Sequence, residues 1–219
     1  MANFEELSQA VFDGDGEQVV EITKSLLGSG ADPQEVISNG LIAGMERVGV
    51  LFKNNEMFVP EVLMSAGAMN TGVEVIKESR KNFDMPSSGK VVLATVKGDL
   101  HDIGKNLVGM MMESNGYTVY NLGVDIEPDK FVEAVKQYQP DIVAMSALLT
   151  TTMMEMKSTI DALVEAGVRD NVKVIIGGAP ITQDFADQIG ADGYAADAAS
   201  AIDLCKGLVD GNARDALSA

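Results

Sequence analysis

The stretch 91–122, VVLATVKGDLHDIGKNLVGMMMESNGYTVYNL, decides the fold. It opens on a short apolar run, VVLATV (91–96), and closes on another, YTVYNL (117–122). Between them, 104–115 has helical length, and ESNGY supplies an ordinary turn. Strand, helix and strand in that order predict a βαβ unit, and hence parallel strands.

The alternation continues downstream. DIVAMSAL (141–148) and VKVIIGG (172–178) read as strands, and DGYAA (192–196) as a weaker fifth. Helices are expected over 127–138, 152–166, 182–189 and 198–209. The fold class is therefore α/β, with a flavodoxin-like, doubly wound, five-stranded parallel sheet covered on both faces.

Upstream the period changes to that of helices. Phe4, Leu7 and Val11 form one stripe, and Val19, Ile22 and Leu26 a second. Asp32 reads as an N-cap, with Pro33 at the first helical position and Glu35 completing a capping box. Ile37, Leu41, Met45, Val48 and Phe52 then recur as one buried helix face. A fourth helix from near Pro60 carries Val62, Leu63, Ala66, Met69, Val73 and Ile76. The expected organisation is a four-helix bundle over 1–82, a Pro/Ser/Gly linker over 83–89 and the sheet domain over 90–219.

Composition excludes several functions. Net charge is −17, and nucleic acid binding requires clustered Lys and Arg. The single cysteine, Cys205, gives neither a disulfide framework nor a cysteine zinc site. The N-terminus lacks the pattern of a secretory signal, and no apolar run approaches the ~20 residues that span a bilayer. No membrane association and a cytoplasmic location are expected. The 13 methionines are read as core filling rather than as soft metal ligands.

In open α/β sheets, ligands bind beyond the carboxyl ends of the strands. The polar and glycine-rich segments cluster there: GDLHDIG after the first strand, SALLTTT after the third, GGAP after the fourth and YAAD after the fifth. The only histidine, His101, lies in the first of these.

The spacing carries more than any one motif. D-x-H-x-x-G (Asp99, His101, Gly104) is followed after residues 105–145 by S-x-L (Ser146, Leu148), and after 149–176 by Gly177-Gly178. This set resembles the cobalamin-binding domain shared by methionine synthase and B12-dependent mutases, over roughly residues 90–210. GMERVGVLFKNNEMFVPEVLMSAGAM (44–69) is similar to the helical cap that precedes that domain in methionine synthase. The whole chain resembles the small corrinoid proteins of methylotrophic methyltransferase systems.

The resemblance implies a cobalamin or related corrinoid, cycling between methylcob(III)alamin and cob(I)alamin, with its benzimidazole tail swung away from cobalt. His101 is then the cobalt ligand, Asp99 the carboxylate that bonds its other ring nitrogen, and Thr152 the relay hydroxyl. Gly98, Leu100, Asp102 and Ile103 complete the ligand loop. Gly104 leaves room for the tail, Ser146 and Thr150 offer it hydroxyls, and Leu148 offers it an apolar contact. Gly177, Gly178 and Ala179 allow close backbone approach, with Tyr194 near the end of the last strand. Glu61 stands where methionine synthase carries an aromatic cap residue.

By the same resemblance the protein is a methyl carrier in one-carbon metabolism. A substrate-specific methyltransferase would methylate it. A second methyltransferase, with a tetrahydrofolate or coenzyme M type acceptor, would demethylate it, and a reductive activase would restore it. A B12-based sensor and a mutase small subunit are the alternatives. This chain lacks the tryptophan and second histidine that such sensors share, and mutase small subunits typically lack a four-helix cap.

Overall fold

The computed structural model describes residues 3–79 and 87–216. Two compact units make up the chain: a helical part up to Pro86 and a sheet part from Ser87. Of the expected linker, residues 83–86 lie outside the described residues.

The helical unit is built from α1 (Phe4–Phe12), α2 (Gly16–Gly28), α3 (Pro33–Glu35), α4 (Ala43–Lys53) and α5 (Val59–Ser79). A π-helical stretch, Val36–Ile42, joins α3 to α4, so the expected third helix changes its hydrogen-bond pattern from α to π and back. Its apolar face is kept: Ile37, Leu41, Met45 and Val48 are fully buried with Leu7, Val11, Val19, Val62 and Ile76. Burying each such side chain contributes roughly 1.5–3 kcal/mol. Two details differ from the expectation. The capping box forms at Asn3 and Glu6, whereas Asp32 caps through the Gln34 amide. Leu63 is exposed, so α5 buries Val62, Ala66 and Met69 but not their neighbour.

The sheet unit follows the alternation closely. Its strands are β1 (Gly89–Val96), β2 (Tyr117–Ile126), β3 (Ile142–Ser146), β4 (Lys173–Gly177) and β5 (Gly193–Ala195). Its helices are α6 (Ile103–Ser114), α7 (Pro128–Tyr138), α8 (Met154–Glu165), α9 (Gln183–Ile189) and α10 (Ala198–Ala216). Strand order is β2-β1-β3-β4-β5 and every pairing is parallel. Val92, Ala94, Val96, Val143, Met145, Val174 and Ile176 meet Phe131, Met156, Ile160, Leu163 and Phe185 from α7, α8 and α9. Leu93 points to the opposite face, where it underlies Gly109 of α6. Period-2 alternation thus supplies two apolar faces, which is why β1 and β3 read as continuous apolar runs.

The element that departs most from expectation is β2. It was expected to end at residue 122 and continues to Ile126. Leu93 pairs with Asn121, Ala94 with Gly123 and Val96 with Ile126, so β2 bulges twice beside the end of β1.

Among the described residues no helix is long and apolar enough to cross a membrane.

Candidate functional site

The chain passes from β1 to β2 on one side of it and then crosses from β2 to β3 on the other, which makes the β1/β3 boundary the switch point of the sheet. In sheets of this order ligands bind there, beyond the carboxyl ends of the strands. Asp99 spans the loops that follow β1 and β3.

Its carboxylate is fully buried and receives five hydrogen bonds. Oδ1 accepts the His101 backbone N–H at 3.1 Å and contacts His101 Nδ1 at 2.7 Å. Oδ2 accepts the Thr152 hydroxyl at 2.7 Å and the N–H groups of Leu148 at 2.8 Å and Leu149 at 3.3 Å. Burial works against the charge. The bonds from Thr152, Leu148 and His101 outweigh it and hold the carboxyl well below the usual range.

An ionised carboxylate can only accept, so the neutral His101 ring carries its proton on Nδ1, the tautomer in which Nε2 keeps its lone pair. The ring is half-exposed, with 51% of the His101 side chain accessible, while Asp99 has none. This is a nitrogen donor of fixed tautomer, braced from behind and open in front. A carboxylate on the far ring nitrogen is the usual support of a metal-binding histidine.

The surrounding residues form an apolar rim. Leu100 is 71% exposed, Ile103 85%, and Leu148 and Leu149 are also exposed. Asp102 accepts the Asn106 side-chain amide at the start of α6. Ser146 ends β3, in register with Thr95 and Gly177. Thr150 and Ala179 are exposed beyond the ends of β3 and β4. Tyr194 is half-buried and packs against the core cluster under the sheet. Glu61, in the helical unit, accepts the Phe58 N–H at 2.8 Å and so caps α5.

The glycines separate into two kinds. A Cβ on Gly178 would lie 1.9 Å from the Ala147 carbonyl oxygen, and its φ is +129°. Gly177 faces the Ala195 carbonyl oxygen in the same way, at 2.9 Å. The backbone approach expected at this pair is therefore made, at least in part, by the chain to itself. Gly104 is different: a Cβ there would meet no protein atom within 4 Å. Gly178→Ala is expected to cost more than ~3 kcal/mol, through clash and backbone strain together. Gly104→Ala is expected to fold as well as the parent, within ~1 kcal/mol, since alanine is the better helix former. Urea unfolding of the two variants checks both.

Several participants escaped the sequence. Thr95, fully buried in β1, donates its hydroxyl to the His101 carbonyl at 2.8 Å. A polar residue inside an apolar strand was the available signal. Lys105 is buried and donates to Asn106 and Asn121 oxygens at 2.8 and 2.7 Å; burial lowers its pKa, and the Asp102 charge partly opposes this. Asp125 accepts the Gly98 N–H at 2.6 Å, and no local pattern marks it.

Fold and site together define a doubly wound α/β protein with a braced histidine at its switch point. Comparison with known proteins narrows the class. Residues 89–203 match the family described as B12 binding domain, and residues 4–77 match a second family of the same description. The trimethylamine corrinoid protein of Methanosarcina barkeri is 45% identical over 217 residues, covering 96% of this chain and all of the relative. A corrinoid protein of Desulfitobacterium hafniense (strain Y51) is 42% identical over 212 residues, covering 95% and 98%. The crystal structure of the methanol:cobalamin methyltransferase complex MtaBC from Methanosarcina barkeri contains a similar fold. Its TM-score is 0.84 at 35% identity, covering 94% of this chain and 79% of that one. The chain belongs to the corrinoid proteins of the B12-binding family.

Proposed function

We propose that this protein binds a corrinoid with His101 as the lower cobalt ligand and serves as a methyl carrier between two methyltransferases. The observation that carries the reading is the Asp99 hub. It engages Nδ1 of a half-exposed His101 at the switch point of the sheet, which in the neutral ring leaves the Nε2 lone pair for a metal. The residues present suit the group. Nε2 is a nitrogen donor suited to cobalt, Leu100, Ile103, Leu148 and Leu149 offer apolar surface, and Gly104 holds open space that no protein atom requires.

Bound corrinoid would supply the metal centre that accepts and releases the methyl group. The chain's own part is to hold and tune the ligand. Asp99 would fix the tautomer of the ring, raise the basicity of Nε2 toward the metal and stabilise the ring's positive charge if it took up a proton. Thr152 donates to Oδ2 and so sets how much negative charge Asp99 presents to the ring. Ser146 and Thr150 would hold the nucleotide tail by their hydroxyls, near Gly177, Gly178 and Ala179. Relatives named trimethylamine and dimethylamine corrinoid proteins, and a similar fold in a methanol:cobalamin methyltransferase complex, support a methylotrophic substrate. Such a carrier would take its methyl group from a substrate-specific methyltransferase. It would pass it to a second enzyme with a tetrahydrofolate or coenzyme M type acceptor, and a reductive activase would serve it.

Reconstitution tests this. Protein refolded with hydroxocobalamin and passed through gel filtration should keep one corrinoid per chain by absorbance. Gly104→Ala should fold normally yet load at least ~10-fold more weakly, as a methyl group intrudes where the tail would lie. With a methylamine- or methanol-specific methyltransferase and its substrate, the reduced holoprotein should take up one labelled methyl group. Failure to retain corrinoid would remove the reading; retention without methylation by any such enzyme would remove the carrier role alone.

A further inference from the structure

The loop that carries His101 is held from three strands. Thr95 and Val96 of β1 bond the His101 carbonyl and the Asp99 N–H, and the segment after β3 bonds the Asp99 carboxylate. The third hold comes from β2. Asp125 Oδ1 accepts the Gly98 N–H at 2.6 Å, and the Asp125 N–H donates to the Asp99 carbonyl at 3.0 Å. One residue thus grips both peptide groups on either side of the Gly98–Asp99 junction, two residues before the histidine.

That grip depends on an unusual backbone. β2 advances from Asn121 to Ile126 while β1 advances only from Leu93 to Val96. The extra length turns Asp125 to φ +56°, the left-handed region that few side chains other than Asn and Asp enter readily. Asp125 is exposed, so burial does not hold it there. Strain of this kind persists where surrounding bonds over-determine it, and both bonds here aim at the ligand loop.

We infer that Asp125 is a positioning residue: through Gly98 and Asp99 it sets the ring of His101 in the orientation that presents Nε2 to a metal. The inference rests on the proposed ligand role only for its consequence. The geometric part concerns the Asp99–His101 pair and can be read without cofactor.

Two substitutions separate acceptor from backbone. Asp125→Asn keeps an oxygen for Gly98 and tolerates the left-handed region. Asp125→Gly relieves the backbone but removes the acceptor. Because His101 is the only histidine, nitrogen-15 histidine labelling of the apoprotein gives a single, assignable ring. At a pH near 8, where an ordinary histidine is neutral, the parent and Asp125→Asn should show one tautomer, protonated at Nδ1. Asp125→Gly should show a mixture, its Nδ1-protonated share reduced about tenfold relative to the other form, the typical effect of losing one charged hydrogen bond. In the cobalamin-loaded Co(II) protein, the nitrogen splitting from histidine should weaken in the same variant while the unfolding transition stays cooperative. A parent-like tautomer in Asp125→Gly overturns the inference, as does equal loss in Asp125→Asn. If the tautomer shifts as expected but the loaded parent shows no nitrogen splitting, the positioning role stands and the ligand reading fails.

Discussion

Replacing His101 by alanine is expected to abolish the nitrogen splitting of the Co(II) form while leaving the fold intact. The ring is half-exposed, and its side chain bonds Asp99. The backbone bonds of residue 101, to Asp99 Oδ1 and from Thr95, survive the change. Stability should therefore move by no more than about 1 kcal/mol. Corrinoid should remain partly bound through the apolar rim of Leu100, Ile103, Leu148 and Leu149. Electron paramagnetic resonance of the reduced protein, with the melting temperature of the apoprotein, checks both halves. Undiminished nitrogen splitting in His101→Ala would assign the ligand to another base. Loss of folding would show that the imidazole has a structural role that its exposure does not reveal.

Asp99→Asn is expected to act more widely, because every donor around this carboxylate was placed for an acceptor. Oδ1 faces the His101 N–H and Nδ1; Oδ2 faces Leu148, Leu149 and Thr152. An amide must turn its NH2 toward one set. Toward His101 it confronts a backbone N–H and invites the opposite tautomer, with Nε2 protonated and unable to bind metal. Toward Leu148 it confronts another backbone N–H at a site with no water access. Either choice costs about 1–3 kcal/mol of stability and about 10–100-fold in metal affinity or transfer rate.

The pH dependence follows from the same bonds. The Asp99 carboxyl is held below its ordinary value, so its stabilising contribution is fully present above about pH 4. It is lost as pH falls from there through the lower folded-state value. The stability gap between parent and Asp99→Asn should thus be widest near neutrality and narrow in acid. Urea titrations of the two apoproteins at about pH 7 and about pH 3 measure it. A gap independent of pH would mean that Asp99 is not ionised in the folded protein.

Much of the molecule was legible in one dimension. Short apolar runs alternating with helical segments placed all five strands, because a strand buried on both faces has no choice but to be apolar. D-x-H-x-x-G marked the loop of the candidate site, since a lone histidine between aspartates after a strand lies where such sheets build sites. What only the tertiary structure decided are the relations between distant segments. Leu148, Leu149 and Thr152 converge on Asp99 because β1 and β3 are neighbours in the sheet, and strand order is not written in local periodicity. Gly178 looked like room for a ligand, and its space is claimed by the Ala147 carbonyl, a pairing set by the β3–β4 contact. Gly104, of the same residue type, meets nothing of the protein at all. The bulges of β2 left no trace in the sequence either, because register is fixed by the partner strand. Asp125 reaches Gly98 only when two residues of slack are taken up beside β1.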